Sequence, residues 1–351
     1  MTKKQAGKSV PKKMDAPKKA ALKEKSAPKK KATRAAELEA AMRQIGKMIG
    51  GAGLISQGDL SALLFSLQGP SAQDGLSDAE ADARHEAQEL AFGAMEARTE
   101  AQARTLAKRA LALDPDCVDA LVVLAGIESD SPRKMMEALQ KAVGAGERSL
   151  GVKFILENKG HFWGLLDTRP YMRALEHLAG LCHAQGFKLD AIKTYEKMLA
   201  LNPNDNQGAR DPLLGLYLAI GGLEEAGKLL KDYEKDPSAN FAWARVLERF
   251  LSSDLPGAAA ALEIARKKNP LVELFLSSEK EMPRYLPEMY SPGSEEEAMV
   301  CLDYLAVAWG NFPPAVLWLR GQLRKNAAPK NTPAAKLKIV SAKPGKIRYD
   351  Q

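Results

Sequence analysis

Met172 to Asp205 reads MRALEHLAGLCHAQGFKLDAIKTYEKMLALNPND, a stretch of 34 residues whose pattern decides the fold. Its first half places Leu175, Leu178, Ala179 and Cys182 at i, i+3, i+4 and i+7, one apolar stripe of a helix. Gly186 marks a turn, because a left-handed backbone is cheap only for glycine. The second half puts Ala191, Tyr195, Met198 and Leu199 on one face of another helix. Asn202-Pro203 ends it, since proline cannot continue a helix and pushes the residue before it toward extended geometry. The stretch is therefore one helical hairpin. Ala179 and Ala191 sit where two helices cross closely, and Tyr195 fills the space beside them. Neither helix can bury its stripe alone, so neighbouring hairpins must stack.

The same punctuation recurs along the chain. Closing prolines fall at Pro115, Pro203, Pro237 and Pro270, with gaps of 88, 34 and 33 residues. The first gap leaves room for two units and an insertion. An alanine precedes each proline by about twelve residues: Ala103, Ala191, Ala226 and Ala258. Period, small residue, aromatic and closing proline together resemble the tetratricopeptide repeat. The fold class expected is all-α: a right-handed superhelical solenoid of about five helical hairpins, with disordered basic tails.

Hairpins are expected over 78–113, 118–143, 172–205, 207–237 and 239–270. Residues 146–171 interrupt the period with Gly151, Gly160, Gly164, Phe154, Phe162 and Trp163, and should pack on the body through a short helix. Ser131-Pro132 opens a helix with a cap followed by a proline. After Pro270 the period is lost, and Pro283 and Pro287 forbid one long helix. Ser294 and Glu297 then announce a capping box, and 295–309 with 314–324 form a final pair expected to cap the array.

Charge is unevenly spread. Of a net +7, residues 1–34 hold +11 and residues 325–351 hold +6, which leaves −10 for 35–324. The first tail is rich in Lys, Ala, Pro and Ser and has too little apolar content to bury a core. Residues 35–76 read as a helical lead-in and linker, 77–324 as the repeat body. The basic tails could contact nucleic acid non-specifically by counterion release, but no aromatic interleaves the lysines to stack on single strands. Three widely spaced cysteines in helical surroundings argue for free thiols in a reducing compartment, and hence for a cytoplasmic protein. No run is apolar for long enough to span a membrane.

The motifs that imitate chemistry fail on inspection. Gly222 to Lys228 mimics a phosphate-binding loop, but Leu229 stands where a Ser or Thr should hold the metal, and no strand precedes it. His85-Glu86 lacks its second histidine. His177 and His183 face different sides of a helix, so no metal or other cofactor is expected. The densest polar cluster runs from Asp167 to Arg173. Arg169 and Arg173 could clamp a carboxylate or phosphate by forked hydrogen bonds. Equally, they could be structural, satisfied by Asp167 and by Asp205 or Asn206 at the polar turn 204–207. An enzyme using Asp167, Arg169 and His161 has no nucleophile–base spacing behind it.

Three stretches carry a narrower likeness: HFWGLLDTRPYMRA (161–174), LNPNDNQGARDPLL (201–214) and LPEMYSPGSEEEA (286–298). They resemble the suppressor-of-tumorigenicity-7-related group of tetratricopeptide-repeat proteins, over roughly residues 85–323. The resemblance implies no catalytic residue. The functional expectation is a non-enzymatic scaffold whose first helices line a concave groove for a protein or peptide partner. Arg173, Glu176 and His183 are the groove-facing candidates, with Asp167, Arg169 and Asn206 beside them. The alternative is an adaptor associated with nucleic acid or the ribosome and tethered by the Lys-rich tail.

Overall fold

The computed structural model describes residues 76–281, 286–287 and 289–327, with the side chains of 325–327 excepted. The expectations for the tail 1–34, for all but the last residue of the lead-in 35–76, and for 328–351 lie outside the described residues. Among those described, the chain is all-helical and contains no strand. Fourteen α-helices follow one another, with two short 3-10 turns.

The helices come mostly in pairs. These are α1 (Asp78–Met95) with α2 (Glu100–Leu113), and α3 (Val118–Glu128) with α4 (Pro132–Leu150). After the short α5 (Val152–Glu157) come α6 (Arg169–Ala184) with α7 (Lys188–Leu201), then α8 (Arg210–Ile220) with α9 (Leu223–Asp232), and α10 (Ala239–Leu251) with α11 (Leu255–Lys268). The short α12 (Leu271–Leu276) precedes α13 (Glu295–Gly310) and α14 (Pro313–Ala327). Within each of the five pairs from α1 to α11 the two helices pack together. The second helix of a pair also packs on the first helix of the next: α2 on α3, α4 on α6, α7 on α8 and α9 on α10. This is the neighbour-on-neighbour packing that helices with one apolar stripe require.

The sequence signals act where they stand. Gly186 takes φ +78° at the α6–α7 turn and Gly221 takes φ +77° after α8, so both turns use the left-handed region. Ser131 Oγ accepts from the Lys134 amide at 3.4 Å, with Pro132 at the first helical position. Ser294 Oγ accepts from the Glu297 amide at 3.2 Å, while the Glu297 carboxylate reaches back to the Gly293 amide at 2.7 Å. The reciprocal half of that capping box therefore closes one residue earlier than expected.

Two differences from the sequence reading matter. First, α4 does not stop near Val143 but runs to Leu150, because Leu139, Ala142, Ala145 and Leu150 continue one buried stripe. Gly146 lets α6 approach: a Cβ there would lie 2.5 Å from Tyr171 Cδ2. The insertion proper is α5 and the two 3-10 turns, Phe162–Gly164 and Leu166–Thr168. Second, α13 does not simply close the far end. It lies back against α8 and α10 as well as α12. Its apolar surface, which includes Ala298, Cys301, Leu302, Leu305, Ala308 and Trp309, is too broad for one neighbour to cover. Gly215 of α8 admits the α13 backbone at Tyr304, with an added Cβ only 3.0 Å from the Tyr304 carbonyl carbon. α14 then turns through 117° from α13. Its Trp318 packs tilted against Phe250, ring centroids 5.4 Å apart, and Arg320 Nε donates to the Ser277 carbonyl at 2.7 Å. No single helix among the described residues is long and apolar enough to cross a membrane.

Candidate functional site

Successive first helices pack on each other at α1–α3, α3–α6 and α8–α10, but α6 and α8 scarcely touch. The gap between them is a cleft of about 340 Å³. α6 buries Leu175, Ala179 and Cys182 and thereby turns the other side of the helix to the cleft. That side presents Glu176, Gly180, His183 and Ala184, at i, i+4, i+7 and i+8. Tyr195 and Met198 of α7 form the floor. Gln207, Gly208, Ala209 and Pro212 form one wall, and Asp303 and Tyr304 of α13 form the rim.

The α7–α8 turn is a rigid wall. Asp205, itself at φ +50°, accepts from the amides of Ala209 at 2.7 Å and Arg210 at 3.0 Å. Arg210 Nε in turn donates to Asp236 at 2.8 Å and ties the turn to the next junction. So fixed, the turn presents Gln207, whose Nε2 donates to Glu176 at 2.6 Å and to the Met172 carbonyl at 3.2 Å. Because both acceptors face the nitrogen, Gln207 Oε1 points the other way, and no donor reaches this buried oxygen among the described residues. The pairing of a carboxylate with an amide recurs at other junctions: Gln88 with Asp119 at 2.6 Å, Asn240 with Asp211 at 2.8 Å, and Asn269 with Glu297 at 3.0 Å.

Burial sets the protonation of the cleft. It pushes His183 below the usual imidazole range, with Lys188 acting the same way and Asp303 opposing. The ring is therefore neutral at pH 7. Burial also pushes the Asp303 carboxyl up, which His183 partly offsets. The Tyr304 hydroxyl is raised to about 12, first by burial and then by Asp211 and Asp303.

Of the residues singled out from the sequence, only Glu176 and His183 line this cleft. Arg173 is engaged elsewhere: its Nε donates to Asp119 Oδ1 at 2.9 Å, its Nη2 bonds Asp119 Oδ2, and its guanidinium lies 5.9 Å from the Phe92 ring. Asp119 is fully buried. Arg173 thus ties α6 to α3, and Gln88 extends the tie to α1. Arg169 donates to the Trp163 carbonyl at 3.2 Å and lies 5.0 Å over the Trp163 ring, which holds the 3-10 turns to α6. Asp167 is half-buried in the second of those turns, and Asn206 is exposed on the α7–α8 turn. The carboxylate partners named from the sequence do not serve Arg173, since Asp205 pairs with Arg210. The two arginines therefore point into separate structural contacts and do not form one clamp.

Gln207, Asp303 and Tyr304 belong to the cleft and were not singled out. Gln207 had a signal, since it closes the polar turn 204–207. Asp303 and Tyr304 had none, because only the return of α13 brings them to α6. Among the described residues no group of three or more His, Cys, Asp or Glu side chains is arranged to hold a metal ion. Trp243 and Trp309 are fully buried packing residues, and the indole of Trp243 donates to the Asn269 carbonyl at 3.0 Å. No protein-family profile matches the chain, and no curated protein aligns with it significantly.

Proposed function

We propose that this protein is a non-enzymatic interaction scaffold of the tetratricopeptide type, similar to the suppressor-of-tumorigenicity-7-related group. In this reading its hairpins wind as a right-handed superhelix, and it works in the cytoplasm. The partner is a protein, which inserts a peptide segment beside α6. The observation that carries the reading is the cleft itself. It lies between α6 and α8 in a succession of packed helical pairs, and the polar α7–α8 turn and the returning α13 frame it. Its volume of about 340 Å³ lies at the small end of the roughly 300–1,000 Å³ common for ligand sites. That suits one anchoring side chain and its flanking backbone.

The test is selection of a displayed random peptide library on the full-length protein, followed by a cleft-filling variant, Ala184→Trp. Ala184 is exposed on the last turn of α6, so the fold should tolerate the change. Enriched peptides should lose binding to this variant. Failure to enrich any peptide, or binding indifferent to the filled cleft, would refute the scaffold reading at this site.

The charge distribution favours a second reading, in which the Lys-rich N-terminal tail tethers the protein to nucleic acid. Deleting 1–34 should then abolish salt-dependent retention on RNA while leaving peptide capture intact. Retention unchanged by the deletion would remove that reading.

A further inference from the structure

The cleft has a chemical bias that the general scaffold reading does not contain. No lysine or arginine lines it. Its ionisable lining residues are Glu176 and Asp303, together with His183, which is neutral at pH 7, and the two phenols Tyr195 and Tyr304. An anion would meet two carboxylates there, with Lys188 acting on His183 only from outside the lining.

The wall fixes one of the two carboxylates. Glu176 and the Met172 carbonyl occupy the amide nitrogen of Gln207, which turns Oε1 away from both. That oxygen is buried and lacks a donor among the described residues. It lies out of reach of a guest in the cleft, so what the wall contributes is the fixed position of the Glu176 carboxylate. Carboxylates from α6 and α13 and aromatic rings at floor and rim suit one kind of guest. It is a long aliphatic stem with a cationic, donor-rich head.

We infer that the cleft anchors a lysine or arginine side chain of a protein partner, with its charged head between Glu176 and Asp303. The inference rests on the scaffold reading and narrows it from any peptide to a basic one. Glu176 is already oriented by Gln207, so half of the anchor is set before the partner arrives. Asp303 stands on α13, so the anchor exists only while α13 is seated on α8. Tyr304, the neighbour of Asp303, is held by the close approach at Gly215.

The same peptide selection on full-length protein tests this, with synthetic peptides of the enriched sequences as probes in fluorescence anisotropy. The enriched set should share one Lys or Arg at a fixed position, and replacing it with Gln should weaken binding by about tenfold or more. Asp303→Asn and Glu176→Gln should each weaken binding by about tenfold. Asp303→Lys should repel the basic peptide and admit its Glu-substituted version. Peptides that need the cleft, as Ala184→Trp reports, yet carry no shared basic residue would overturn this inference and leave the scaffold reading standing. No enriched peptide at all would overturn both. Free spermidine competing as strongly as the peptides would also overturn it, because the occupant would then be a small polyamine.

Discussion

Gly215→Ala tests the central tertiary feature, the return of α13 onto α8. Gly215 lies inside α8, where replacing glycine by alanine ordinarily stabilises a helix by about 1 kcal/mol. Here the added Cβ would sit 3.0 Å from the Tyr304 carbonyl carbon and closer still to its oxygen. A comfortable carbon–oxygen contact is about 3.3–3.6 Å, so α13 must retreat by roughly 1 Å. A gap of that size forfeits about a quarter to a half of the dispersion at each contact it opens. The contacts at risk are those of buried Cys301, Leu302, Leu305 and Ala308. Overpacking of this kind costs about 1–3 kcal/mol or more. Net of the helix gain, the variant should be destabilised by up to about 2 kcal/mol, or up to roughly 8 °C in Tm for a body of this size. Gly126→Ala on α3 is the control, because no atom lies within 4 Å of its added Cβ. It should hold or raise stability by up to about 1 kcal/mol. Urea denaturation and thermal melts, followed by far-UV circular dichroism, measure both. If Gly215→Ala melts at or above wild type in step with Gly126→Ala, α13 is not seated on α8 and the rim of the cleft is lost.

Arg173→Ala should cost about 3 kcal/mol, because it strands the fully buried carboxylate of Asp119; Arg173→Ala with Asp119→Ala should recover part of that loss, and a double-mutant cycle by urea denaturation would show no coupling if the pair were incidental. Asp211 gives a pH signature. Burial raises its carboxyl from the ordinary 3.8 to about 6, so the folded state binds its proton more tightly than the unfolded chain. Its ionised form therefore costs up to about 3 kcal/mol above pH 6, a cost relieved as pH falls from 6 toward 3.8. Asp211→Asn should accordingly stabilise the protein at pH 8, with the advantage gone by about pH 4; melts showing the same difference at both pH values would contradict this. Cys117, Cys182 and Cys301 are buried, and burial pushes each thiol up, Cys117 to about 11. Thiol titration with a disulfide reagent should therefore be slow in native protein and complete only in denaturant, and rapid native labelling would show at least one of them to be accessible.

What the sequence determined by itself is local. The spacing of Leu175, Ala179 and Cys182, the turn glycine Gly186 and the closing Pro203 specify a helix, a reversal and a second helix, because periodicity and backbone restriction act between residues a few positions apart. The same logic placed the caps at Ser131 and Ser294, and the face that carries Glu176 and His183. Tertiary structure decided the rest. Arg173 could be read as a clamp because nothing near it in the chain names its partner, and Asp119 reaches it only when α3 packs on α6. Position in the chain likewise placed α13 at the end of the array, while the breadth of its apolar surface drew it back onto α8 and α10. That return brings Asp303 into the cleft that Glu176 lines. A pairing between such distant segments follows from which surfaces are left uncovered once the helices have formed, and local pattern carries no record of it.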